Sequence, residues 1–205
     1  MDRLHWRACE GCRLCQTRRQ VVLGKGQTPA DVLFIGEAPG KSENLMGFPF
    51  VGPSGNLLEK AITITSTWAG ARPRYYITNT VACWPRDEEG NTRPPEDDEV
   101  MACAARLEDE IRAVKPKRII FVGNVAEKHL SKRYTGKRIL HPAYLLRRGR
   151  ESAPEWLGWC REISDIFKEA LYDGKGTVEA QSLEVRIEDG SSAERHALRR
   201  TVPLE

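Results

Sequence analysis

The sequence predicts an α/β fold in which a parallel sheet is covered by helices on both sides. Two observations carry that prediction. The apolar runs VLFIG (32–36), YYIT (75–78) and RIIFVG (118–123) recur roughly every forty residues, and each is followed by turn residues and then a helical pattern. Strands spaced in this way need crossover connections rather than hairpins. In addition, 205 residues with 40% hydrophobic and 30% charged side chains can bury one substantial core, so a single domain is expected over 1–172.

The first strand opens into GEAPGKSENLMGFPFVG, Gly36 to Gly52, a loop that carries Glu37, Glu43, Phe48 and Phe50. Its glycines imply close backbone approach, but the spacing of Gly36, Gly40 and Gly47 is not G-x-G-x-x-G and no G-K-[ST] follows, which disfavours a nucleotide-phosphate cradle. Ser54 can cap a helix running through Ile62. The second strand leads into Asn79–Cys83. Pro95 with acids behind it opens a helix whose apolar positions Val100, Ala104, Leu107, Ile111 and Val114 recur every three to four residues, and Pro116 closes it. After the third strand, Asn124 to Lys132 reads as a shorter helix, and the short apolar pair Ile139-Leu140 precedes His141. Pro154 starts the last helix, with Leu157, Cys160, Ile163, Phe167 and Leu171 as its apolar face. All the unusual loops therefore fall at the carboxyl ends of strands, where open parallel sheets place their sites. Residues 173–205, with near-balanced charge and few large apolar groups, read as an appendage in which VEAQSLEVRIE can pair as a strand.

No run of 18 apolar residues exists, and MDRLHWRACEGC lacks the apolar stretch of a signal peptide, so a cytoplasmic protein without membrane contact is expected. The net charge is only +3. Lys128 to Arg150, however, carries eight Lys or Arg and no acid, a face on which a polyanion can dock, the alternative being an ordinary solvated surface. Residues 86–99 hold seven acids and two arginines and are expected to lie away from any phosphate backbone.

Six cysteines in a reducing compartment point to metal or redox chemistry rather than a disulfide framework. Cys9 and Cys12 form C-x-x-C, Cys15 extends it, and Cys83 and Cys103 flank the acidic segment. Four thiolates could hold zinc or an iron-sulfur cluster, and spacing alone does not choose between them. Cys160, on the apolar face of the last helix, reads as a core residue.

Taken together, these segments resemble a known family. GEAPGKSENLMGFPFVGPSGNLL resembles the first motif of the family 4 uracil-DNA glycosylases, ITNTVACWP their ITNxVKCxP, HPAYLLRRG their HPSxLLR, and CEGCRLCQTRRQVVLGKG their CxxCxLxxxRxxxVxGxG. The matches run in order over about residues 9–150. The resemblance implies a three-layer α/β/α sandwich with a central four-stranded parallel sheet. It also implies a 4Fe-4S cluster on Cys9, Cys12, Cys83 and Cys103, with Cys15 as a spare or a rival ligand. It implies excision of uracil from single- or double-stranded DNA by a monomer. By the same resemblance Phe50 stacks on the flipped base, Asn79 reads it, and His141 hydrogen-bonds O2 of the departing uracil. Glu37 is placed near the water and sugar, and Glu43 beside uracil C5, while Ala38 stands where some uracil glycosylases have an aspartate. Leu145 and Leu146 are expected to wedge into the stack, Arg147, Arg148 and Arg150 to bind phosphates, and Gly40 and Gly55 to let backbone amides meet the strand. Two features depart from the pattern: Ala143 in place of serine and a shortened segment before His141. Nor does TNTVACWPRDEEG hold the histidine that covalently bonding relatives carry there. The rival readings are a glycosylase-like DNA-binding protein with weak or no cleavage, and a zinc-containing structural protein.

Overall fold

The computed structural model describes residues 6–172. The tail, including VEAQSLEVRIE, lies outside the described residues. In chain order the strands are β1 (Lys25–Gly26), β2 (Val32–Gly36), β3 (Tyr75–Asn79), β4 (Arg118–Val122) and β5 (Lys137–Ile139), and the helices are α1 (Lys41–Met46), α2 (Pro53–Trp68), α3 (Asp97–Val114), α4 (Asn124–Leu130), α5 (Pro142–Arg147) and α6 (Trp156–Tyr172).

The sheet order is β1-β3-β2-β4-β5. Strands β3, β2, β4 and β5 are mutually parallel, as the strand spacing requires, and two residues of β1 add an antiparallel edge. Because β2 lies between β3 and β4, the chain leaves it in opposite directions, and a crevice opens at the carboxyl end of the sheet. The alternating residues of β2 divide the core. Val32 and Phe34 join Ile77, Ile120 and Val122 against α2 and α6, while Leu33 and Ile35 join Tyr76, Ile119 and Phe121 against α3 and α4. Every residue of β2 is buried, the mark of a strand covered on both faces.

Helix α2 continues to Trp68, beyond the expected end at Ile62. Within the added turns the buried Thr65 and Ser66 hydroxyls are satisfied by donating back to the Ala61 and Ile62 carbonyls at 2.8 and 2.6 Å, so the polar run can be buried in the helix. In α6 the inward stripe is Trp156, Trp159, Cys160, Ile163 and Phe167, and Leu157 is exposed, contrary to the expected face. The two indoles offer more apolar surface than a leucine, and the Trp159 indole N–H finds the Leu140 carbonyl at 3.0 Å, so both needs are met by rotating the stripe.

Val100, Leu107, Ile111 and Val114 of α3 are buried as expected, Ala104 only partly, but the helix also buries a polar pair that periodicity hides. The Arg106 guanidinium is 3.2 Å from the Glu110 carboxylate with both side chains excluded from solvent. It also donates to Thr78 Oγ1 (3.1 Å) and to the Asn79 and Thr80 carbonyls (2.8 and 2.7 Å). Removing one partner of a buried pair leaves the other charge uncompensated. Arg106→Met is therefore expected to lower unfolding stability by about 3–5 kcal/mol, read from urea denaturation; a loss under about 1 kcal/mol would show that the pair contributes little.

Candidate active site

A cavity of about 240 Å³ opens at the carboxyl end of the sheet, lined by Glu37, Ala38, Gly40, Glu43, Phe50, Ser54, Asn79, Thr92, Arg93 and His141. The carboxyl ends of β2 and β3 contribute Glu37, Ala38 and Asn79, and His141 follows β5. Gly36 is required by close approach: a Cβ there would lie 2.5 Å from both Asn79 Oδ1 and the Phe50 ring. Phe50 itself has φ 52°, costly for a bulky residue and characteristic of functional sites. Its main chain lies against Gly55, where a Cβ would meet the Phe50 carbonyl oxygen at 2.1 Å. Gly55 is buried beneath that turn, so packing alone accounts for the glycine.

Asn79 is 2% exposed, and its Oδ1 is buried without a hydrogen-bond partner among the described residues. A buried unpaired acceptor costs free energy and calls for an explanation. The His141 and Phe50 rings lie 6.3 Å apart at 35°. His141 caps α5 by accepting the Ala143 N–H at Nδ1, 3.2 Å, which leaves the ring proton on Nε2 when the imidazole is neutral. Burial, aided by the Arg147 charge, pushes its pKa below 6.5, so neutral is the form at pH 7.

The two carboxylates differ. Glu43 accepts three backbone N–H groups, from Gly40 (3.0 Å), Val51 (2.9 Å) and Gly52 (2.8 Å), and so staples both ends of the loop together. Glu37 has no side-chain partner among the described residues, and burial pushes its pKa above 4.5.

Thr92 and Arg93 come from the acidic segment, which the sequence reading kept only away from a phosphate backbone and did not connect with the pocket. The segment folds over the crevice because Arg93 is bound to Glu99 at 2.6 and 2.9 Å. Burial would raise the Glu99 pKa, yet Arg93, the Glu96 N–H and Arg13 hold it at about 2. The only sequence signal was an arginine standing among acids.

The basic run also changes character. Lys128 pairs with Asp97, Arg133 with Glu108, Lys137 with Glu169, Arg138 with Glu127 and Arg148 with Glu155. Among the described residues Lys132, Arg147 and Arg150 keep unpaired charges, so the cationic face narrows chiefly to the end of α5. Leu145 is fully buried in the core beneath α5 and cannot wedge into a base stack; as the inward residue of a six-residue helix it anchors the helix instead. Leu146 is partly buried against the same core.

A second, more enclosed cavity is lined by Cys9, Cys12, Cys83 and Cys103 together with Trp6, Leu14, Arg18 and Arg106. Cys15 is not among its lining residues. Donors point at the sulfurs: the Gly11 N–H at Cys9 (3.5 Å), the Ala82 N–H at Cys103 (3.4 Å), Arg18 at Cys83 and Arg106 at Cys103 (both 3.8 Å). Burial pushes the Cys83 thiol up to about 12 against the pull of Arg18, and pushes Cys12 up as well. Among the described residues no three Cys, His, Asp or Glu side chains converge on a single-ion position; the thiols ring a space. Four soft donors with amide and guanidinium partners suit a thiophilic metal group, zinc or iron-sulfur. Cys160 lies in the core, as expected, its thiol raised by burial to about 11.

Residues 23–162 match the uracil DNA glycosylase superfamily. The chain is 38% identical over 131 residues to the Type-4 uracil-DNA glycosylase of Saccharolobus solfataricus, covering 64% of this chain and 58% of that one. It is 40% identical over 122 residues to that of Pyrobaculum aerophilum, with 60% and 59% covered, and 33% identical over 150 residues to that of Thermotoga maritima, with 73% and 70% covered. The chain thus spans less than two thirds of the length of the first two of these relatives. No helix among the described residues is long and apolar enough to cross a membrane.

The staple role of Glu43 has a direct readout. Glu43→Ala frees three amides, and charge-assisted bonds of this kind contribute about 1.5–3 kcal/mol each. Hydrogen exchange at the Gly40, Val51 and Gly52 amides is expected to accelerate at least tenfold, and unchanged protection would show that the loop holds without the carboxylate.

Proposed function

The chain belongs to the uracil DNA glycosylase superfamily, and from that premise we propose that it excises uracil from DNA by hydrolysing the N-glycosidic bond and leaving an abasic site. The observation that carries this reading is the orphaned Asn79 Oδ1 beside the Phe50 ring. A flipped uracil offers N3–H to that oxygen and O4 to the amide NH₂, whereas cytosine presents the reverse pattern and would leave the oxygen unsatisfied. Phe50 supplies the stacking surface.

As the glycosidic bond breaks, negative charge grows on the uracil ring. A neutral His141, with its Nε2–H fixed by the Ala143 cap, donates to O2, and the nearby positive charge of Arg147 favours the same anion. Donors aimed where charge develops act mostly in the transition state. Glu37, the carboxylate without a partner, orients the attacking water and offsets positive charge on the sugar. Glu43 cannot turn toward water without releasing the loop, so its part is to hold the pocket wall beside uracil C5.

Cys9, Cys12, Cys83 and Cys103 would hold a 4Fe-4S cluster. When bound, the cluster cross-links the N-terminal segment to both ends of the acidic segment. The DNA substrate, double- or single-stranded, would meet the pocket mouth with Arg147 and Arg150 as its phosphate contacts.

A purified sample is expected to release free uracil from uracil-containing DNA, and His141→Ala to lower kcat by about 10²–10³-fold, the scale of losing one oxyanion-type donor. A fully active variant would remove His141 from the mechanism. The pH profile tests Glu37. Its carboxylate must be ionised, and since burial raises its pKa from the ordinary glutamate value, kcat/KM is expected to fall on the acid side with a limb lying above that of an exposed glutamate. An acid limb within or below the ordinary glutamate range would take Glu37 out of that role.

A further inference from the structure

The loop that builds the pocket also carries a feature the chemistry does not use. Leu45, Met46 and Phe48 are 50%, 60% and 56% exposed, three large apolar side chains within four positions. The other exposed large hydrophobics among the described residues, such as Trp68, Met101 and Leu157, are scattered along the chain. A cluster of this kind needs a reason.

The tip is not free to fold inward. The Arg19 N–H donates to the buried Asn44 Oδ1 at 2.8 Å, and the Gln20 amide donates to the Asn44 and Leu45 carbonyls at 3.1 and 3.0 Å. The Gly47 N–H closes a left-handed turn on the Glu43 carbonyl at 2.7 Å. The backbone is held on both sides while the apolar side chains face solvent. Moreover, the tip is continuous with the pocket wall. Gly40 and Glu43 before it and Phe50 after it all line the cavity, and two residues of chain place the Phe48 Cα within about 7 Å of the Phe50 Cα. The segment suits a polyanion as well, because its only acid, Glu43, has its carboxylate taken up by backbone amides, and Lys41 at the start of α1 is exposed.

A nucleotide that leaves a duplex vacates a slot in the base stack, and an apolar side chain inserted there keeps it from returning. Leu145, on the basic helix, is fully buried and cannot fill it. We propose that the Leu45–Phe48 tip is the wedge of this protein, with Phe48 and Met46 entering the stack of duplex DNA beside the flipped nucleotide. The assignment rests on the base-excision reading above.

The test replaces Met46 and Phe48 with serine in the otherwise intact protein and measures kcat/KM for uracil release from duplex and from single-stranded DNA. A 2-aminopurine beside the uracil reports unstacking. The double variant is expected to lose at least tenfold on the duplex, with a matching loss of the 2-aminopurine fluorescence rise, and to stay within about threefold of the parent on single strands, where there is no paired stack to hold open. Equal losses on both substrates, an unaffected duplex rate, or a parent protein active only on single strands would each overturn the wedge. Sedimentation of both proteins covers the other occupant: self-association of the parent that the variant abolishes, with duplex activity unchanged, makes the tip an interface between copies and overturns it too. A parent that releases no uracil from either substrate removes the base-excision reading itself, and so is told apart from failure of the wedge alone.

Discussion

The buried Arg106 guanidinium holds together the parts of this molecule that matter for function. Strand β3 ends at Asn79, and the carbonyls there have no next strand to meet. One Arg106 nitrogen takes both the Asn79 and Thr80 carbonyls, and the other takes Thr78 Oγ1 and the Glu110 carboxylate. Desolvating a cation is expensive unless nearly every donor is used. Here only Nε lacks a partner among the described residues. The same group reaches Cys103 Sγ, so the end of the strand that presents the Asn79 amide and the cavity ringed by cysteines share one support. Glu110 in turn accepts the Gly24 N–H at 3.0 Å, which ties in the segment leading to β1.

From that support the pocket follows by exclusion of volume. Asn79 and the Phe50 ring are brought so close to β2 that only glycine fits at 36. Phe50 can hold its strained turn because Gly55 lets α2 pass directly beneath it and because Glu43 fixes the chain on either side. Each constraint uses a backbone feature rather than a side-chain contact with a ligand. The crevice is therefore largely formed before anything enters it, which lowers the ordering cost of binding.

Much of this was legible in the sequence, and the limits have physical causes. Strand spacing gives the parallel sheet, and the loops after β2, β3 and β5 carry the residues that meet in the pocket, because parallel topology delivers all three to one edge. Periodicity fails where polar groups are buried: Arg106 and Glu110 look like ordinary helix-surface charges until their partners on β3 and at Gly24 are seen. It fails again in α6, where two tryptophans outweigh Leu157 in choosing the inward face. Charge counting fails through tertiary pairing, since the acids that neutralise the basic run come from α3, α4, α6 and Glu155 just before α6, and Arg93 draws the acidic segment over the crevice. Leu145 reads as a wedge by its motif, but a helix of six residues needs an anchor in the core, and Leu145 is that anchor.

The arrangement of acids gives the proposed chemistry its direction. Of the three candidate positions in the first loop, 38 carries only a methyl group and 43 has its oxygens bound to amides, so Glu37 alone can face water. A single carboxylate near a forming sugar cation favours bond breaking only if nothing adjacent opposes it. The neutral state of His141 meets that condition: its Nδ1 is occupied by a backbone amide and burial disfavours a second proton, so the ring can polarise O2 without setting a fixed positive charge against the sugar. In the proposed reading Arg147, whose charge lowers the His141 pKa, would stand on the leaving-group side and attract the departing anion. Charge separation along the glycosidic bond is thus favoured at both ends, carboxylate toward sugar and cation toward base, and a site built this way depends more on stabilising the leaving group than on activating its nucleophile.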